Sequence, residues 1–190
     1  MIAERKPRPS WVHQLVFGLE VSLRYHKARE AHLSGYLRFV SWINVVGGSA
    51  VVGNLIGTAA GAETLILGVG FVLTALNGHV VTSGIGERQR LHAELAKRFS
   101  ELQFRIEKSC EDSDERLSEA EYRHLRREIE QDEPAIYCAL QDVKYNEVAV
   151  SCGYGDSHLI KVTWIKRLLR NIYRFERECS PEPEDKNDAS

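Results

Sequence analysis

FVSWINVVGGSAVVGNLIGTAAGA, residues 39–62, is a run of 24 positions without a formal charge. Its glycines invite two opposed readings. A phosphate-binding loop of the GxxxxGK[ST] kind needs a lysine to reach the terminal phosphates and a hydroxyl to hold magnesium. Gly48-Ser-Ala-Val-Val-Gly53 has the glycine spacing, but Asn54 and Leu55 follow it. No Lys or Arg lies within residues 47–61 or next to them. The cationic half of a nucleotide site is missing. As a helix the same run is about 36 Å long, enough to cross the roughly 30 Å hydrocarbon core of a bilayer.

The next segment repeats the pattern. TLILGVGFVLTALNGHVVTSGIG, residues 64–86, is interrupted only by His79, and Glu63 is the only formally charged residue between Phe39 and Gly86. Gly68-Val-Gly70 starts a dinucleotide-like motif but lacks the third glycine and any preceding strand pattern. With only a very short turn between them, spans over about 39–62 and 64–86 form an antiparallel hairpin. The competing arrangement, a hairpin buried in a helical bundle, needs a large surrounding shell, because core helices normally keep a polar stripe. The rest of this chain, highly charged, is too small for that.

The flanks supply the orientation. Arg24, Lys27, Arg29 and Arg38 precede the first span, Arg88, Arg90, Lys97 and Arg98 follow the second, and the turn between has no basic residue. The positive-inside tendency therefore puts both termini in the cytoplasm and only the turn outside.

Before the hairpin, residues 1–38 contain a cytosolic amphipathic helix over 11–38, with Trp11, Leu15, Leu19, Leu23 and His26 at helical spacing and Ser10 as its cap. After it, residues 87–155 read as a cytosolic helical region. A helix over 87–109 shows the stripe Leu91, Leu95, Phe99, Leu102 and Ile106. A second covers 116–131, capped near Ser113 or Asp114 and ended before Pro134. A third covers 135–153 and is closed by Gly153 and Gly155. Residues 156–179 are expected to form a basic amphipathic helix, to lie either on anionic headgroups or against the bundle. Residues 180–190, SPEPEDKNDAS, have the composition of an acidic disordered tail. No strand-like alternation persists, so the fold class expected is an all-α membrane protein: an N-terminal amphipathic helix, a two-helix transmembrane hairpin and a cytosolic helical bundle.

Chemistry is sparse. The 190 residues carry a net charge of −2 with both signs mixed, which gives no reason to expect a nucleic-acid partner. Cys110, Cys138, Cys152 and Cys179 have no CxxC spacing, against a zinc ribbon or a disulfide framework. The N-terminal MIAERKPRPS has charge but no apolar region directly behind it, unlike a secretory signal. His92-Ala-Glu94 matches part of a deaminase signature without any PCxxC to follow. His26, Glu30 and His32 share a helix, but nothing ties them to a further metal ligand. No catalytic residue, metal or cofactor is expected.

What rises above background is small-residue spacing. Ser49, Gly53, Gly57 and Gly61 recur every four residues on the first span, and Gly70, Thr74, Gly78, Thr82 and Gly86 on the second. Such faces let helix backbones approach closely in lipid, either inside one hairpin or between subunits of a homo-oligomer. Asn44, Asn54, Asn77 and His79 are polar residues at membrane depth. They either bond across helices or line a wet conduit.

The order of these parts resembles a known family. A basic helix containing LRYHKAREAHL leads into the hairpin, then a helix with RLHAELAKRFSEL, then the stretch DEPAIYCALQDVKYNEVA. Over about residues 11–155 this layout is similar to the SLATT proteins of bacteria, two-transmembrane effector domains with a helical cytosolic portion. The resemblance implies an oligomer that forms a pore or perturbs the inner membrane in antiviral defence, triggered by a signalling or sensor partner encoded nearby. It implies no catalytic residues. Residues 156–190 lie outside it, and the alternative is a membrane anchor or scaffold whose cytosolic helices recruit a partner.

Overall fold

The structure, a computed structural model, describes residues 10–56, 62–111 and 118–175. Among them the regular elements are all helical: α1 (Ser10–Ile56), α2 (Ala62–Thr82), α3 (Ile85–Glu111), α4 (Glu119–Glu130), α5 (Cys138–Ser151), a 3₁₀ turn at Asp156–His158, and α6 (Trp164–Leu169). Two compact units divide the chain, Met1–Pro134 and Ala135–Ser190.

In the first unit α1 runs unbroken for 47 residues, about 70 Å at helical rise. The boundary expected at residues 38 and 39 is therefore only a change of surroundings. Nothing there stops a helix: residues 36–46 contain neither glycine nor proline. α2 and then α3 run back along it. The pairs Gly47 with Leu73, Asn44 with Asn77, Glu30 with Gln89 and His26 with His92 step down the molecule in opposite chain directions.

α2 stops at Thr82 rather than continuing to Gly86. Gly84 adopts φ +59°, the left-handed conformation that glycine takes without steric cost, and α3 starts one residue later. The axes bend by 43° across this break.

The core sits between the inner half of α1, α3 and α4. Val12, Leu15, Leu19 and Leu23 of α1 meet Leu95, Phe99, Leu102 and Ile106 of α3, with Tyr122 and Ile129 of α4 closing one side. These are the helical stripes read from the sequence, buried as a stripe of that width must be. Ser118 caps α4, its hydroxyl accepting from the Glu121 amide while the Glu121 carboxylate accepts from the Ser118 amide. This capping box, rather than Ser113 or Asp114, which lie outside the described residues, fixes the start of α4.

In the second unit α5 ends in a Schellman motif. The Tyr154 amide donates to the Ala149 carbonyl and the Gly153 amide to that of Val150, with Gly153 at φ +79°. Over the described residues 156–175 the long basic helix expected over 156–179 is not formed, and residues 176–179 lie outside the described residues. Asn146 of α5 bonds both backbone groups of Ile160, accepting from its amide at 2.8 Å and donating to its carbonyl at 2.7 Å. This holds the chain extended where a helix would continue. Thr163 then caps α6, which has six residues.

Candidate functional site

The residues singled out in the hairpin fall on both sides of one contact. Asn44 of α1 and Asn77 of α2 form a reciprocal amide pair: the Asn44 Nδ2 donates to the Asn77 Oδ1 at 3.0 Å and the Asn77 Nδ2 to the Asn44 Oδ1 at 2.8 Å. The Asn77 Nδ2 also donates to the Leu73 carbonyl at 2.7 Å. An amide presents both a donor and an acceptor, so two of them satisfy each other without water. Asn44 and Asn77 thus bond to each other across the two helices.

Three residues further along α1, Gly47 faces Leu73 and Val69 of α2. A Cβ there would stand 3.2 Å from both methyl carbons of Leu73 and 3.4 Å from Val69 Cγ1. Two of the glycines expected to pack, Gly70 and Gly78, face open space among the described residues: a Cβ on either would meet nothing within 4 Å. Ser49, Thr74 and Thr82 are exposed, and their hydroxyls donate to carbonyls one turn back, on Val45, Gly70 and Gly78. Those groups are satisfied inside their own helices, which leaves an outer face of methyl groups and bare backbone. Gly53 and Asn54 lie in α1, with their side chains outside the described residues, as are Gly57 and Gly61 altogether.

Asn44, Thr74, Asn77, Gly78 and Thr82, together with Leu73 and Val81, line one shallow hollow of about 650 Å³. The structure thus brings five of the residues singled out by sequence to one place. His79 stands apart from that lining. It is exposed, with Nδ1 3.2 Å from the Ser83 hydroxyl and its ring edge-on to Tyr36 of α1 at 6.4 Å. A second groove of about 880 Å³ is almost wholly apolar, walled by Phe39, Trp42, Ile43, Val46, Val69 and Val72, with Arg38 at its end.

Below the hairpin lies a polar cluster that the sequence reading did not assemble. The Nδ1 atoms of His26 and His92 are 2.9 Å apart, and His26 Nε2 is 2.9 Å from Glu133 Oε1. Both histidines are buried, as is the neighbouring Arg29. Phe99 stacks on the His26 ring, at 5.5 Å and 11°, and Tyr25 meets it edge-on. Burial, then the positive charge of His26 and of Arg29, pushes the His92 pKa down to about 4. At neutral pH His92 is therefore uncharged.

The signal for this cluster was in the chain. His26 continues the stripe Leu19, Leu23, and His92 begins the stripe Leu95, Phe99, so both histidines occupy core positions. What could not be read was the partner, Glu133, 107 residues from His26. Among the described residues no three His, Cys, Asp or Glu side chains are placed to hold a metal ion.

By length and composition no single described helix is long and apolar enough to cross a membrane, while Ile66–Thr82 and Ile85–Ser109 pass that test as a bent pair. Comparisons with protein-family models, curated proteins and solved structures find no match to this chain.

Proposed function

We propose that the outer half of α1 and α2 form a hairpin in a lipid bilayer, and that assembled copies perforate or perturb the membrane, as the SLATT resemblance implies for bacterial conflict effectors. The observation behind this is the surface of the hairpin. Phe39, Trp42, Val45, Leu67, Phe71 and Val81 are all between 60% and 78% exposed, in a stretch whose only formal charge is Glu63. An apolar surface of that extent needs a cover. Lipid suits it, since every described Ser, Thr and Asn side chain named above on these helices has a partner within the chain. Charged residues resume at Glu87 and Arg88, just beyond the bend at Gly84, where a span would leave the hydrocarbon. In this arrangement both termini are cytoplasmic, the membrane is the inner one, and the face of Gly70, Thr74, Gly78 and Thr82 is the seam between subunits.

A second reading, a non-perforating anchor, is favoured by the Asn44–Asn77 pair, because amides that satisfy each other do not need to line water. Inducible expression in a bacterium with a potential-sensitive dye separates the two. The effector reading expects rapid depolarisation that Asn77→Leu or His79→Leu reduces at equal protein abundance. Retained potential at high abundance, with growth unimpaired, favours the anchor or an untriggered effector.

A further inference from the structure

The second unit exposes a surface of its own. Residues 159–175 carry Lys161, Lys166, Arg167, Arg170 and Arg174 and no Asp or Glu. Among these cations stand large apolar side chains facing outward: Trp164 is 73% exposed, Leu168 69% and Ile172 72%. Trp164 and Leu168 are one turn apart on α6, so they share a side of it. The segment is fixed to its own unit at both ends. Asn146 grips the backbone of Ile160, and the Arg174 Nε donates to the Ile136 carbonyl at 3.4 Å. The exposed surface is thus held in place by polar bonds on its flanks while its apolar side chains have no cover within the unit.

We propose that this surface rests on the anionic headgroups of a bilayer, with Trp164, Leu168 and Ile172 at the acyl boundary. Charge selects the occupant. Five cations without an intervening carboxylate complement an anionic lipid surface. Tryptophan and tyrosine, here Trp164 and Tyr173, favour the boundary between headgroup and hydrocarbon, and long basic side chains can keep their charges in the headgroups while their stems lie along apolar surface. The hairpin reading brings the chain to a bilayer, and the proposal rests on it for that proximity alone.

The two surfaces are separable by their tryptophans. The full-length chain is reconstituted in vesicles of phosphatidylcholine, alone or mixed with phosphatidylglycerol, with brominated acyl chains as quencher. W11F/W164F leaves Trp42 to report on the hairpin, and W11F/W42F leaves Trp164 to report on the basic surface. Trp164 is expected to be quenched only with phosphatidylglycerol present, and to recover as salt screens the attraction. K161E/R167E, two exposed positions, should weaken the docked state by about 30-fold or more, since two attractions are lost and two repulsions added. Far-UV circular dichroism on that variant separates lost attraction from lost folding, and the salt titration tests the attraction without any charge substitution. Trp164 left unquenched, or quenched equally in phosphatidylcholine alone and indifferent to salt, overturns the proposal. Trp42 left unquenched contradicts the hairpin reading instead, and the basic surface then stands or falls by Trp164.

Discussion

Leu19 is fully buried and Trp42 is 72% exposed, although both belong to one unbroken helix. The inner half of α1 alternates apolar and charged residues with helical period, and two amphipathic helices, α3 and α4, cover its stripe. Its outer half is apolar nearly all round and has α2 on one side only. The helical backbone is the same in both halves. The difference lies in what surrounds it, and the composition of the outer half suits an environment other than water. In the reading proposed above, that environment is lipid.

Deleting equivalent side chains from the two halves should separate them most widely. Phe99→Ala opens a cavity in the core and should lower the stability of the bundle by about 3–5 kcal/mol. Phe71→Ala, at a position 76% exposed on α2, should change it by less than about 0.5 kcal/mol. Denaturant unfolding in a mild detergent, followed by circular dichroism, measures both. Comparable losses at the two sites would mean that the outer half is packed like the inner one.

The histidine pair makes the inner region sensitive to acid. The His92 pKa is about 4 in the folded chain, against about 6.5 when unfolded. A pKa depressed by folding means that the unfolded chain binds more protons between these values. Stability is therefore full above about pH 6.5 and falls as pH drops towards 4, by up to about 3 kcal/mol. His92→Leu removes the group that titrates and should flatten this slope while leaving His26 without its imidazole partner. A slope that is unchanged in the variant would show that other groups account for the acid sensitivity.

Within the hairpin the amide pair gives a smaller effect. Asn44→Leu leaves the Asn77 carbonyl without a donor, at a cost of about 1 kcal/mol, and the double variant Asn44→Leu/Asn77→Leu should cost less than the sum of the singles. A double-mutant cycle in detergent or bilayer reads the coupling directly, and additive losses would deny that the pair acts as a unit. Smallest is the contrast between two glycines. Gly47→Ala pushes a methyl group against Leu73, whereas Gly78→Ala meets open space and should be neutral or stabilising, by up to about 1 kcal/mol, in the isolated hairpin. If Gly78 lies in a seam between subunits, the same substitution should reduce chemical cross-linking of copies in a bilayer. Equal behaviour of the two glycines would remove the distinction between a face within the hairpin and one outside it.

Much of this fold could be read from the sequence, because helical periodicity is a local signal. The stripes of α1 and α3 and the break before Pro134 all follow from neighbours a few residues apart. Features that depend on distant partners could not be read in the same way. The stretch after α5 has a good helical pattern, yet Asn146 holds Ile160 extended from 14 residues away. That Gly47 meets side chains of α2 while Gly70 and Gly78 face open space depends on the rotation of each helix about its axis, which a four-residue period leaves open. Of the hairpin residues, Asn44, Thr74, Asn77, Gly78 and Thr82 converge because they share one helical face and its opposite number. Glu133 joins His26 only through tertiary structure.

Whether lipid covers the outer half is decided by the collision environment of the hairpin surface. Nitroxide labels at Val45 and Phe71, in a cysteine-free chain reconstituted in bilayers, report by electron paramagnetic resonance whether oxygen or a water-soluble nickel chelate reaches them more readily. A label at Glu101, exposed on α3 of the bundle, is the aqueous reference. A hairpin embedded in lipid requires that oxygen dominate at Val45 and Phe71 and nickel at Glu101. Nickel access at Val45 and Phe71 equal to that at Glu101 would contradict it.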